Sequence, residues 1–229
     1  IMKQLIEDLS KPDSMPDPTQ SVTVIQTHIS IVFVADNFVY KIKKPVNFGF
    51  LDFSDPEKRK YYCSREVALN RRLSTGIYLD VIPVTFEGKS YRLGSRGGET
   101  VDHAVRMKRV PEDILMRTLF FEGTLTESHL RDIAEVLARF HRTTDGGPAI
   151  EHFGEADAFK VNTDENFVQI EPYIGRSIDQ EAFIALKDWT EDFFSNRGEL
   201  FASRIAQGKI RDCHGDLHME HVCLGDQVS

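Results

Sequence analysis

The chain has 229 residues, enough for one large domain or for two lobes around a cleft. Hydrophobic residues make up 41% and charged residues 28%, an ordinary globular composition, and a net charge of -8 argues against a general nucleic-acid binder. The three cysteines, Cys63, Cys213 and Cys223, are widely spaced and include no CxxC pair, so they support neither a zinc ribbon nor a disulfide framework and fit a reducing compartment.

No apolar run approaches the ~20 residues needed to span a bilayer. Ile1-Met2-Lys3-Gln4 opens no signal-peptide core. The expectation is a cytoplasmic protein with neither a membrane nor a nucleic acid as partner.

In chain order, residues 3–9 read as a short helix and the proline-bearing stretch from Ser10 to Ser21 as a loop. Three strands follow, Val22 to Ile25, Ile31 to Val34, and Phe38 to Lys43. Asp36-Asn37 between the last two is a hairpin signal. Ser54, with Glu57 three residues on, predicts a capping box for a long helix that runs to Gly76. Tyr62, Leu69 and Leu73 share one face of that helix, and Glu66 lies on the same face.

Further strands are expected at Val81 to Phe86, at Tyr91 to Leu93 after a turn through Glu87-Gly88-Lys89-Ser90, and at Ala104 to Met107. Pro111 closes this sheet-rich half. Beyond it, Leu130, Ile133, Leu137 and His141 recur at helical steps before Gly146-Gly147-Pro148. Phe183, Leu186, Trp189, Phe193 and Leu200 predict one more long helix, stopped by Gly208. A short strand, Lys209 to Cys213, is then expected to deliver the segment richest in chemistry.

That segment is His214-Gly215-Asp216-Leu217-His218-Met219-Glu220-His221, followed by the apolar Val222-Cys223-Leu224. A glycine lets backbone approach closely, and the histidine before it can brace a loop that holds an aspartate at a cleft. Residues 214–221 resemble the catalytic loop of the aminoglycoside phosphotransferase family, relatives of the protein kinases with the pattern His-Gly-Asp-x-x-x-x-Asn. The resemblance implies that Asp216 orients and deprotonates an acceptor hydroxyl, with His214 bracing the loop.

A kinase-like fold also needs a lysine on its third strand and a glutamate on the following helix. Lys41 matches best, with Lys43 and Lys44 as rivals, and Glu66 is the natural partner, since a carboxylate on an apolar face is costly unless paired. More narrowly, Thr27-His28-Ile29-Ser30, the run from Val39 to Phe53, Leu69-Asn70-Arg71-Arg72-Leu73 and the His-Gly-Asp loop resemble the N-terminal part of bifunctional aminoglycoside phosphotransferase/ATP-binding proteins. In that group a P-loop kinase domain commonly follows. This chain has no Gly-x-x-x-x-Gly-Lys-Ser/Thr, so that partner domain is not part of it.

The implied architecture is α+β, a bilobal protein-kinase-like fold. Its parts are an N-terminal helix and loop at 1–21, a strand-rich lobe with an antiparallel sheet and one long helix at 22–107, a hinge at 108–112, and an incomplete, mostly helical lobe at 113–229. The implied cofactors are ATP and Mg2+, and the implied substrate is a small molecule with a hydroxyl acceptor. Backbone groups of Met107, Lys108, Arg109 and Val110 are expected to meet the base. Ser30 stands where the family's glycine-rich loop would touch phosphate.

Two departures bear on activity. His221 takes the place of the magnesium-binding Asn, although magnesium prefers oxygen ligands. The family's further metal-binding Asp is expected beyond Ser229, and Asp226 falls in a hairpin turn instead of that role. The chain by itself is therefore expected to be inactive. The alternative reading is a nucleotide-binding pseudokinase that regulates a companion domain. A third is a metal-dependent hydrolase using Asp212, His214, Asp216, His218 and His221. Metallophosphoesterases need an early Asp-x-His and a Gly-Asn-His-Asp/Glu element, and neither occurs.

Overall fold

A computed structural model describes residues 2–49, 51–225, 228 and 229. The chain is α+β and forms two compact units, one from residues 1–133 with 216–229 and the other from residues 134–215.

The first unit opens with α1 (Met2–Leu9) and then builds β1 (Thr23–Gln26), β2 (Ser30–Val34) and β3 (Phe38–Lys43). Helix α2 (Pro56–Asn70) leads to β4 (Tyr78–Phe86), β5 (Tyr91–Leu93) and β6 (Glu99–Lys108), and α3 spans Met116–Phe121. The six strands make one antiparallel sheet in the order β1-β2-β3-β6-β4-β5. The hairpin expected at Asp36-Asn37 forms, with Val34 opposite Val39 and Ala35 N–H donating to the Phe38 carbonyl at 2.9 Å.

Both faces of the sheet are covered, and strand alternation decides what each receives. On one face Ile31, Phe33, Tyr40, Ile42, Val84, Leu93 and Ala104 pack with Leu5 and Leu9 of α1 and with Met15. The first helix is therefore part of the core, and Asp8 fastens it by accepting from the Tyr91 backbone N–H at 3.2 Å. On the other face Cys63 and Val67 of α2 pack against Val105, flanked by Tyr78, Val81 and Met107.

Helix α2 differs from its expected form in three respects. Its N-cap is Asp55, whose carboxylate accepts from the Glu57 and Lys58 backbone N–H groups, while Ser54 bonds to Asp52. The cause is Pro56, which lacks an N–H and has its φ preset, so it takes the first helical position and makes the residue before it the cap. The helix ends at Asn70, well short of Gly76. Its buried stripe is Arg59, Cys63 and Val67 instead of Tyr62, Leu69 and Leu73. Arg59 is taken inside by the buried Asp102 carboxylate, at 2.9 Å, and by the Phe53 carbonyl, which turns the helix by one residue relative to the apolar pattern.

Helix α4 (Glu127–Thr143) carries Leu130, Ile133, Leu137 and His141 as expected, and spans the boundary between the units. The second unit continues with α5 (Pro148–Glu151), α6 (Ala156–Ile170), α7 (Gln180–Asn196) and α8 (Gly198–Ala206). The single long helix expected through Leu200 is two helices, broken at Arg197, whose backbone (φ -118°, ψ 20°) leaves the helical region just before Gly198. The strand expected at Lys209 to Cys213 does not form. The backbone there is tied instead to the end of α4, with Asp212 N–H donating to the Asp145 carbonyl at 2.9 Å and Thr144 Oγ1 donating to the Asp212 carbonyl at 2.7 Å.

Candidate functional site

On β3, residues 39, 41 and 43 share one face, and Tyr40 and Ile42 turn to the core on the other. Lys41 and Lys43 therefore point the same way, and both reach Glu66 on α2. Lys41 Nζ lies 2.9 Å from Glu66 Oε1, and Lys43 Nζ lies 2.5 Å from Glu66 Oε2. The Glu66 side chain is only 13% exposed and Lys43 7%, while Lys41 keeps 30% of its surface open. Burial alone would push the Glu66 carboxyl up. The fields of Lys41 and then Lys43, with their hydrogen bonds, outweigh it and hold the carboxyl below its ordinary value. Lys43 also sits over the Phe53 ring, 4.9 Å from its centroid.

One carboxylate facing two ammonium groups leaves an unbalanced positive charge, and Lys41 is its exposed end. The sequence presents Lys41 and Lys43 as rivals for one partner. The alternation of the strand makes them joint partners, a signal already present in their spacing of two.

Beside this cluster lies an open cavity of about 400 Å³, lined by Thr23, Ile25, Val34, Val39, Ile77, Tyr78, Met107, Lys108, Arg109, Val110, Glu112 and Leu115. Val39 is on the lysine face of β3. Tyr78 links cavity and cluster: burial first, then the nearby Glu66 charge and the Cys223 thiol, raise its hydroxyl to about 12. The volume and the mostly apolar wall suit a flat ring system. Met107, Lys108, Arg109 and Val110, singled out from the sequence, all line it. The Lys108 N–H is engaged by the Ile77 carbonyl at 2.8 Å and the Arg109 N–H by the Asn37 carbonyl at 2.9 Å. Lys108 and Arg109 also border a second hollow of about 570 Å³ with Asp36, Asn37, Phe38, Leu79 and Pro111.

Ser30 is fully buried at the start of β2, and its Oγ has no hydrogen-bond partner among the described residues. That hydroxyl has no open surface through which to meet a phosphate. The pairing of Ser30 with Lys43 at the end of the hairpin buries it.

The late segment returns to the first unit. Cys223 bridges to Leu115, a cavity residue, and the Met116 N–H donates to the Val222 carbonyl at 2.9 Å. Upstream of it Asp216, His218 and His221 are exposed, and their ligand atoms all lie within 4.8 Å of one another. His221 Nδ1 is 2.8 Å from the Asp216 carbonyl oxygen. His218 caps a single 3-10 turn, Met219–His221, and its Nδ1 accepts from the Glu220 N–H at 3.3 Å. His214 belongs to the second unit, half-buried in the irregular stretch after Lys209. From the sequence alone His218 stands only as a hydrolase ligand, because the family pattern leaves its position variable. The hairpin turn expected at Asp226 lies outside the described residues.

Together these features define an α+β chain with an antiparallel sheet, a lysine-glutamate-lysine cluster on the face that α2 covers and an open cavity beside that cluster. No described helix is long and apolar enough to cross a membrane. No family model matches the chain. Uncharacterized proteins of Mycobacterium tuberculosis and Mycobacterium bovis are 31% identical to it over 205 residues, covering 90% of this chain and 39% of each relative. The chain thus spans well under half the length of the curated relatives it matches. Among solved structures, that of WbdD is similar at 13% identity with a TM-score of 0.29, covering 83% of this chain and 50% of the other.

Proposed function

We propose that this chain is the nucleotide-binding part of an ATP-dependent phosphotransferase whose longer parent phosphorylates a hydroxyl of a small molecule. The observation that carries the reading is the cluster of Lys41, Lys43 and Glu66 beside the cavity. A phosphate chain is the natural complement to a net positive charge on a rigid strand next to an apolar slot of base size.

In this reading the base lies against Val39, Met107 and Val110, and Lys41, the more exposed lysine, meets phosphate oxygens while Glu66 keeps it extended. Lys43, nearly buried, fixes the carboxylate. Magnesium carried with the nucleotide would supply charge neutralisation to the phosphates, beside the positive charge that Lys41 provides. Asp216 accepts the proton of the acceptor hydroxyl, and His214 braces its loop. Preorganised charge and position do most of the work in such a transfer.

A second reading, nucleotide binding without transfer, is favoured by one observation. An imidazole stands at 221 in place of an oxygen ligand, and its Nδ1 faces the Asp216 backbone carbonyl.

Calorimetry with ATP and magnesium tests the shared core of both readings. Binding should weaken at least about tenfold in Lys41→Met, as expected when a charged hydrogen bond worth ~1.5–3 kcal/mol is lost. Unchanged affinity in a folded Lys41→Met/Lys43→Met double variant would sink both. Asp216→Asn in the longer protein separates them: transfer should vanish while ATP binding persists. A parent that binds ATP and transfers to none of a panel of sugars, amino alcohols and nucleosides supports the second reading.

A further inference from the structure

We propose that Asp216, His218 and His221 form a binding site for a borderline divalent transition metal ion of the zinc, cobalt or nickel class, one that discriminates against magnesium. The three side chains come from six consecutive residues wrapped around one 3-10 turn, and their ligand atoms lie within 4.8 Å of one another. All three are exposed, so an ion meets them without opening the fold.

The hydrogen bonding around the turn prepares one imidazole for coordination. A peptide carbonyl can only accept, so the 2.8 Å contact between the Asp216 carbonyl and His221 Nδ1 places the proton on Nδ1 and makes Nε2 the lone-pair nitrogen of that ring. An outer hydrogen bond of this kind is what orients metal-binding histidines in general and raises their basicity. The same residue, Asp216, thus offers its backbone to orient His221 and its carboxylate to the ion.

His218 has a different arrangement. Its Nδ1 lone pair takes the Glu220 N–H at 3.3 Å, at the long end for such a bond, and that weak contact is the one an ion would replace. The two rings lie 3.8 Å apart between centroids and are tilted by 38°.

Donors sharing one ion at ~2.0–2.2 Å each stand roughly 3–3.5 Å apart, so the set must close by about 1–2 Å. Rotation about the χ bonds of exposed side chains supplies that movement without shifting the backbone. Two imidazoles and one carboxylate suit zinc, cobalt and nickel, whereas magnesium favours oxygen donors and holds its water tightly. Three protein ligands leave positions for water or a further ligand.

The site stands on these three side chains alone, whatever the chain's role in phosphotransfer. Where that role holds too, the ion occupies the carboxylate that would take the acceptor proton. It would then act as a brake on transfer and not as its cofactor.

The test uses untagged protein stripped with a chelator, titrated calorimetrically with Zn2+ and followed by absorption with Co2+. One equivalent should bind, with visible Co2+ bands of low coordination number, and millimolar Mg2+ should not displace it. His218→Ala, His221→Ala and Asp216→Asn should each weaken Zn2+ at least about tenfold, since even an outer-shell partner is worth 10–100-fold. Cys213→Ser, which removes the exposed thiol, should leave binding intact. Unchanged Zn2+ affinity in a His218→Ala/His221→Ala variant with native circular dichroism would overturn the proposal, as would equal displacement by Mg2+. ATP affinity measured without transition metal depends on Lys41 and Lys43, so failure of one proposal leaves the other readable.

Discussion

The two units of this chain treat their apolar residues in opposite ways. In the first, a sheet assembled from distant segments is covered on one face by α1 and on the other by α2, and Leu9, Ile31, Phe33, Tyr40, Ile42, Cys63, Val84, Ala104 and Val105 are all fully hidden. In the second, Phe140 and Phe183 are the buried large apolar side chains among the described residues, while Trp189 is 66% and Val168 67% exposed. Its aromatic rings touch mainly each other, as in the stacked pairs Trp189–Phe193 and Phe194–Phe201. Strand pairing forces long-range contact and hence burial, whereas helical periodicity creates an apolar stripe without ensuring that anything covers it. Stability should therefore reside in the first unit.

The sharpest way to break this contrast is a matched pair of truncations. Ile42→Ala, at a fully buried site, should cost about 3–4 kcal/mol in urea unfolding, and Trp189→Ala about 0.5 kcal/mol or less. Equal losses would show that the second unit hides more than its exposure suggests.

Next in size is the ionic cluster. Glu66→Gln leaves two lysines facing a neutral amide and should cost about 3 kcal/mol. The Glu66 carboxyl sits below its ordinary value in the folded chain, so the cluster's contribution is complete above the unfolded value near ~4.3 and disappears as pH falls through the folded value. Denaturation from pH 7 to pH 3 should show wild type converging on the variant at the acid end. A constant gap would mean that the carboxylate charge contributes nothing.

Loss of the helix cap is smaller. Asp55→Ala should lower stability by about 1 kcal/mol, whereas Ser54→Ala should have little effect, which sharpens the assignment of the α2 start. Smallest per residue, and most informative about the contrast, is amide exchange: protection should peak in β3 and β6 and be lowest in α6 and α7.

Much of the first unit is legible in the sequence because its signals are local and mutually consistent. Asp36-Asn37 between β-branched runs gives the hairpin, and with it the face that carries Lys41. Glu66 was legible because an acid among apolar neighbours demands a partner, although the stripe around it was misphased by one residue. Arg59 caused that error: it reads as polar surface until Asp102, forty-three residues away, takes it inside. Lys209 to Cys213 illustrates the opposite failure. Its short run had a strand's brevity, and the α4 end captured its backbone. The joint role of Lys43 and the burial of Ser30 follow from register, which no single segment states.

The three thiols offer a chemical consequence of the same architecture. Burial pushes Cys63 up to about 11 and also raises Cys223, so neither presents much thiolate at neutral pH, while Cys213 is exposed. An alkylating reagent should mark Cys213 at once and the other two only when the first unit opens. Counting adducts by mass would turn these side chains into a clock for unfolding, and a dye on Cys213 would watch the helical portion alone.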